Sequence, residues 1–203
     1  MKWPFGHRGC GALAAIFLGM GLSGLPACGA AEADGLAPLN GPELAATFED
    51  LHRLTYGAPR DLTAPGAEDA LHDELAQTYI GEALTTAYVD HVLMDAALRA
   101  QGAWVEIADV TYLAVHPIEG EAGWVEATWQ VSGEVRHVRH RHGRVNRYRG
   151  RFYVVQGPEG PRIAAVRVGD VGGTILPAGV LEGMGPGERR SPSELLRAQE
   201  GGP

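Results

Sequence analysis

The stretch RHVRHRHGRVNRYRGRFY, from Arg136 to Tyr153, decides the fold of this 203-residue chain. It contains seven arginines, three histidines and no acidic residue, although the whole chain has a formal net charge of −8. Residue types alternate along it, which is typical of a β-strand, because successive side chains of a strand point to opposite faces of the sheet. We therefore predict one long strand, preceded by a hairpin turn within residues 136–141.

The two faces of this predicted strand differ in chemistry. One face consists mainly of arginines and must meet water or acidic partners, because a row of like charges is unfavourable in a core. The other face carries His140, His142, Arg144, Asn146 and Tyr148, and then becomes apolar. Full burial of such a face demands a partner for every polar group. We therefore expect it to line a half-open cleft on the inside of a bent sheet.

The segment before the turn, residues 123–135, alternates in the same way and predicts the partner strand. One register places Trp129 opposite Tyr148, so that their rings lie on the same face. The same register places Glu126 opposite Arg151 and makes the charges on the other face complementary. We predict this register, and we count Trp129 among the residues that line the cleft.

The N-terminus has the features of an export signal. Two basic residues precede an apolar run, residues 11–25, which is too short and too rich in glycine for a comfortable membrane span. Residues 1–27 are then a signal peptide, since Leu-Pro-Ala-Cys at 25–28 resembles a bacterial lipoprotein box that leaves Cys28 as a lipidated first residue. Cleavage after Ala33 and an uncleaved anchor stay open as alternatives. We expect an exported protein, either periplasmic or anchored to the membrane as a lipoprotein.

Export also limits the partners and the covalent chemistry of the mature chain. Cys10 leaves with the signal and Cys28 is acylated or removed, so no disulfide is expected. Loss of Lys2 and Arg8 makes the mature chain more acidic still. This balance argues against nucleic-acid binding, despite the basic strand.

The rest of the chain reads as one domain with extended ends. Residues 28–40 are rich in Ala, Gly and Pro and are expected to be a flexible tether, whereas residues 171–203 are expected to be a largely disordered, Gly/Pro-rich tail. Residues 41–170 hold helical periodicity first and strand-like runs afterwards. This order predicts an α+β domain with N-terminal helices packed on a strongly curved, antiparallel four-stranded sheet. The helices are expected at about 42–55, 67–76 and 82–101, and the strands at 104–115, 123–135, 141–155 and 162–168.

This order of elements resembles the cystatin-like, cone-shaped fold of nuclear transport factor 2, ketosteroid isomerase and scytalone dehydratase. The turn and strand also resemble a set of uncharacterised exported bacterial proteins with the signature His-Trp-Gly-His-x-His-x-Arg-x-Asn-x-Tyr. Val138 and Arg139 replace its Trp and Gly. The resemblance implies the cone fold and no particular activity, because that fold hosts enzymes and binding modules alike. The matching positions are His137, His140, His142, Arg144, Asn146 and Tyr148.

Three interpretations of the polar face stay open, and the first is a metal site. His137, His140 and His142 have a spacing that a turn can bring together, and three imidazoles suit zinc or copper. No other cofactor is expected. The neighbouring arginines oppose a bound cation, which counts against this interpretation.

The second interpretation is a site for a small anion, and the third is purely structural. Arg144 offers a planar fork for a carboxylate or phosphate, and Asn146 and Tyr148 add hydrogen-bond donors along the same face. The same three residues can instead satisfy one another in a buried network, closed by a carboxylate such as Asp109 or Glu106.

The sequence therefore predicts an exported, envelope-associated binding or interaction domain, with an unidentified protein or a small anionic ligand as its partner. The sequence contains no nucleophile motif of the Gly-x-Ser-x-Gly type, and we assign no catalytic residue. The alternatives are a small periplasmic lyase or isomerase with His140 or His142 as general base, and a His-rich metal-binding accessory protein. A lipid anchor would attach the domain to a membrane, and the arginine face leaves a homodimer possible.

Overall fold

The structure, a computed structural model, describes residues 35–58 and 61–176. The predicted signal peptide, Cys28, the cleavage site after Ala33 and the tail from residue 177 lie outside the described residues. Within the described ranges, no helix combines the length and the hydropathy that a membrane span requires.

Three helices form the first half of the domain, in the places that the hydrophobic periodicity predicts. They are α1 (Leu44–Leu54), α2 (Ala67–Ala76) and α3 (Glu82–Ala100). Gly66 and Gly81 precede α2 and α3 with positive φ angles of 78° and 61°, which glycine adopts without steric strain. Each glycine thus lets the chain turn sharply into the next helix.

Four strands follow, and they pair in sequence order as one antiparallel sheet. The predicted α+β class is confirmed. Both α1 and α3 contact the two edge strands, β1 and β4, so the sheet curls around the helices. Four interruptions of the register, in the β1–β2 and β3–β4 pairs, add local bends that favour such curvature. The strands are β1 (Ala103–Pro117), β2 (Trp124–His137), β3 (Arg141–Gly157) and β4 (Gly160–Leu176).

The predicted register of the β2–β3 hairpin is confirmed. Trp129 lies opposite Tyr148, and Glu126 lies opposite Arg151. On the outer face, Arg149 Nη2 donates to Glu126 Oε1 at 2.6 Å. The arginines at alternate positions of β3 are exposed, as the pattern predicts: Arg141, Arg147, Arg149 and Arg151.

The core lies between α1 and the inner face of the sheet. The ring of Phe48 from α1 lies 4.6 Å, centroid to centroid, from that of Phe152 on β3, and neither side chain is exposed. Apolar residues from all seven elements complete this cluster. Burial of these rings against the concave face fixes which face of β3 points inward.

Two expected boundaries of the domain are wrong. β4 continues six residues past the predicted end at residue 170, because residues 171–176 pair with residues 143–148 of β3. The expected tether is also packed near its end, since Leu39 N–H donates to Val154 C=O at 3.0 Å. The folded domain therefore extends further at both ends than the Gly-rich and Pro-rich composition of these segments predicts.

Candidate functional site

The three histidines come together at the turn end of the β2–β3 hairpin. His137 ends β2, His140 lies in the turn and His142 belongs to β3. The pairing of Arg136 with Arg141 closes the turn, and His137 N–H donates to His140 C=O at 2.8 Å. One ring nitrogen from each histidine lies within 4.8 Å of the others. The backbone of the turn therefore gathers three candidate metal ligands, which we call the histidine cluster.

The imidazole rings of this cluster stack on one another. Their centroids are 4.5 Å apart for His137 and His140, 5.5 Å for His137 and His142, and 5.8 Å for His140 and His142. The planes lie 16–22° apart. His140 is exposed and the other two are partly buried, so the cluster is open to solvent on one side.

The surroundings of His142 favour its neutral form. Burial is the largest cause that lowers the pKa of His142, and His137, His140 and Arg144 lower it further by electrostatic repulsion. Glu134 opposes this shift by attraction. A neutral imidazole offers a lone pair, which is the form that binds a metal ion.

Charged side chains surround the cluster. Glu134 pairs with Arg136 and lies 3.7 Å from Arg141, and Arg136 also reaches Glu106 of β1 at 2.7 Å. Arg139 is exposed in the turn and forms no ion pair with any residue that the structure describes. Among the described residues, arginines of the hairpin end pair with two acids there, Glu106 and Glu134.

Further along the same face of β3, the polar residues form a chain of hydrogen bonds. Arg144 Nε donates to Asn146 Oδ1 at 3.1 Å, and Asn146 Nδ2 donates to the hydroxyl of Tyr148 at 3.0 Å. The exposed fractions of these side chains are 4%, 0% and 1%. The ring of Trp129 stacks on Tyr148 with a centroid distance of 5.3 Å. We call Arg144, Asn146 and Tyr148 the buried network.

The expected half-open cleft is therefore wrong for the buried network and for Trp129. Among the described residues of this face, His140 is exposed and His142 is partly exposed, whereas Arg144, Asn146 and Tyr148 are buried. The physical reason is the additional length of β4, because residues 171–176 pair with β3 beside the network. Gly173 lies opposite Asn146, and its lack of a side chain allows the close approach. Among the three interpretations, this geometry favours a structural role for Arg144.

The carboxylates that were expected to close the network have other partners. Thr111 Oγ1 donates to Asp109 Oδ2 at 2.5 Å, and Glu106 binds Arg136. Neither contact involves the buried network or a histidine of the hairpin end. The arrangement of an orienting acid and a general base, which the lyase or isomerase alternative requires, is not formed by Asp109.

A buried histidine of α1 is the residue that the sequence interpretation missed. His52 is 3% exposed, and its Nδ1 lies 2.9 Å from the hydroxyl of Tyr112. Burial lowers the pKa of His52 to about 3, and the nearby Arg53 lowers it as well. Leu44, Phe48 and His52 recur at steps of four, so the helical period does place His52 on the buried face. Aromatic rings surround it on all sides: Phe48, Tyr56, Tyr112, Trp129 and Phe152.

The gap beside His52 is too small for an organic substrate. Its volume is about 10 Å³, which is room for a single water molecule. At the edge of this gap, Trp129 Nε1 donates a hydrogen bond to the hydroxyl of Tyr56 at 2.6 Å. The polar groups that line this gap therefore contact one another and pack in the core. The gap is lined by His52, Thr55, Tyr56, Tyr79, Trp129, Phe152 and Val168.

Comparison with known proteins adds little to this geometry. No family model matches the chain. No curated protein matches its sequence. Among solved structures, the intermembrane space region of the chloroplast protein ARC6 is similar with 16% sequence identity and a TM-score of 0.42, covering 70% of this chain and 100% of that one. A similarity at this score carries no conclusion about function.

Proposed function

We propose that this chain is an exported, envelope-associated binding domain that holds one divalent transition-metal ion, zinc or copper, on the histidine cluster. The observation that carries the proposal is the convergence of three imidazole nitrogens within 4.8 Å at a solvent-open hairpin end. Three imidazoles are a common ligand set for both metals.

The cluster needs only side-chain rotation to reach metal-binding geometry. Zinc–nitrogen bonds are about 2.0–2.1 Å long, so nitrogens of one tetrahedral shell lie about 3.4 Å apart. The stacked rings must turn until their lone pairs converge on one point. His140 is exposed in the turn, and its ring contacts among the described residues are with His137 and His142. The adjustment is therefore local to the hairpin end.

The other two candidate functions have less support. An anion that uses Arg144 would have to enter a face where Arg144 is only 4% exposed. A lyase or isomerase needs a pocket for its substrate, and the gap beside His52 holds one water molecule. Neither ligand therefore fits at these two places of the described inner face.

The proposed location and the finer fold rest on sequence features and architecture. The N-terminal signal pattern favours export, with release into the periplasm or attachment through Cys28. The helices within a curled antiparallel sheet support a cone of the type found in nuclear transport factor 2. We propose this cone as a scaffold that presents the hairpin end to a protein partner or to a second copy.

A titration with zinc and with copper tests the metal site. Tag-free protein, stripped of metal with a chelator, is titrated by calorimetry as wild type and as His140→Ala. We expect about one ion per chain for the wild type and at least about tenfold weaker binding for the variant, because one of three ligands is lost. His140 is exposed, so its loss leaves folding intact.

The matched control is His72→Ala, which removes an exposed histidine of α2 far from the hairpin in sequence. We expect this variant to bind zinc and copper as the wild type does. Equal affinities for wild type, His140→Ala and His142→Ala would contradict the proposal, as would an absence of binding by the wild type.

A further inference from the structure

We infer that the metal-loaded histidine cluster takes a carboxylate as its remaining ligand and that Arg139 helps to hold this anion. The inference rests on the metal site proposed above and names the chemistry of what that site binds. Three observations lead to it: the number of protein ligands, the charge of the hairpin end, and the position of Arg139.

The protein supplies three ligand atoms and no more within the part of the chain that the structure describes. Neither a carboxylate nor a thiol joins the three imidazoles of the cluster there. Four-coordinate zinc with three protein ligands keeps its fourth position for water or an added ligand. The solvent-open side of His140 gives such a ligand direct access.

The charge of the surface favours an anion in that position. Apart from the buried Arg144, residues 134–144 carry three arginines and one acid, and Glu106 of β1 brings a second acid. Without the histidines, the net charge of these described surface residues is therefore +1. A divalent cation placed among these groups is repelled by them, and repulsion between unit charges is about 4 kcal/mol at 4 Å near a protein surface. An anion bound to the metal offsets much of this repulsion.

The turn also supplies a guanidinium group, next in sequence to His140. Arg139 lies in the turn between His137 and His140, is exposed, and forms no ion pair with any described residue. Its planar fork matches the two oxygens of a carboxylate. Carboxylate oxygens bind zinc at about 2.0–2.2 Å, so one carboxylate can contact the metal and the arginine together.

This inference makes metal and carboxylate binding mutually dependent. By linkage, each ligand must strengthen the other by the same factor. We expect zinc to bind about tenfold more tightly in acetate than in perchlorate at equal ionic strength, within the usual range of such coupling. Complexation of free zinc by acetate acts in the opposite direction, so it cannot produce this gain.

The experiment is a calorimetric zinc titration in the two salts with wild type, Arg139→Gln and Arg149→Gln. Arg149 is the matched control, because it lies on the outer face of β3 and pairs with Glu126. We expect the acetate effect to shrink in Arg139→Gln and to persist in Arg149→Gln. Equal zinc affinity of the wild type in both salts, with the protein monomeric in both, overturns the carboxylate inference and leaves the metal site standing. Absence of zinc binding in either salt overturns the metal site itself.

A second measurement identifies the source of the carboxylate. The zinc-loaded protein is studied by analytical ultracentrifugation in perchlorate and in acetate. A monomer in both salts supports a free small acid as the ligand. A zinc-dependent dimer that acetate dissociates supports a carboxylate from a second copy, which a chain of net charge −8 can supply. A zinc-dependent dimer that acetate leaves unchanged overturns the inference.

Discussion

Asn146 is the central residue of the buried network. Its amide accepts from Arg144 and donates to Tyr148, and it has no exposed surface. Inside a protein such hydrogen bonds are stronger than in water. If one member is removed, the remaining polar groups stay buried without a hydrogen-bond partner, which costs free energy. The network therefore contributes to stability through the completeness of its contacts.

Replacement of Asn146 by leucine should lower the free energy of unfolding by about 2–4 kcal/mol, because an acceptor of Arg144 and a donor to Tyr148 are lost together. Urea denaturation measures this change. Arg149→Ala is the control, since it removes only a surface ion pair and should change stability little. If Asn146→Leu were as stable as Arg149→Ala, the network would have no structural role.

His52 predicts a specific loss of stability in mild acid. The pKa of His52 is about 3 in the folded protein, against about 6.5 in an unfolded chain. As the pH falls below about 6.5, the unfolded state takes up a proton that the folded state refuses, so stability declines until the folded pKa is reached. Above that pH, both states are neutral and this contribution to stability is complete.

The measurement is the free energy of unfolding between about pH 6.5 and pH 5 for wild type and His52→Gln, a window that lies above most carboxylate pKa values. One such histidine contributes a slope that approaches about 1.4 kcal/mol per pH unit. We expect the variant, although less stable, to lack this part of the slope. Identical slopes would show that His52 titrates normally in the folded state.

Which residues share a face could be predicted from the sequence, whereas their exposure could not. The alternation placed Arg144, Asn146 and Tyr148 on one side of β3, and the hydrogen bonds among them confirm this. Whether water reaches Arg144 depends on β4. The last residues of that strand pair with the first residues of β3. A pattern within one strand carries no information about a neighbour that joins it later in the chain.

At the scale of elements, the β2–β3 hairpin was predictable because two independent requirements agree on one register. The rings of Trp129 and Tyr148 stack on the inner face, while Glu126 meets Arg149 and Arg151 on the outer face. A shift by one residue would exchange the two faces and bury the arginines. The apolar residues and the complementary charges therefore favour the same pairing, and burial of the aromatic rings contributes the larger part.

The end of β4 was not predictable for the opposite reason. Its last residues include Gly172 and Gly173, and glycine within a strand usually weakens it. Here a glycine is required, because a Cβ at position 173 would overlap Asn146 Oδ1. From the sequence alone, a glycine required for close packing against a neighbouring side chain cannot be distinguished from a glycine in a loop.

Gly173→Ala should therefore destabilise the sheet by about 1–3 kcal/mol, since the buried amide of Asn146 has little freedom to move away. Gly172→Ala is the matched control, because a Cβ there meets nothing within 4 Å. We expect it to be neutral or slightly stabilising, since alanine restricts the unfolded chain. Urea denaturation of both variants gives the comparison. Equal effects of the two substitutions would contradict the packing of β4 against the network.

At the scale of the whole molecule, the two ends of β3 contact different parts of the chain. The first residues of the described domain lie against Val154 and Gln156, near the end of β3, whereas the histidine cluster lies at its beginning. About 40 Å of strand separates the two regions, at about 3.3 Å per residue. If the chain is anchored through Cys28, we expect the hairpin end to face away from the membrane and towards soluble partners.

X-ray absorption spectroscopy of the zinc-loaded, tag-free protein tests the central claim most directly, because it reports the ligands of the bound ion. The account predicts a four-coordinate shell with three imidazoles from His137, His140 and His142, and one oxygen. His140→Ala should lose one imidazole from this shell. A shell of oxygen ligands without imidazole scattering, or a spectrum unchanged in the variant, would contradict the proposed site.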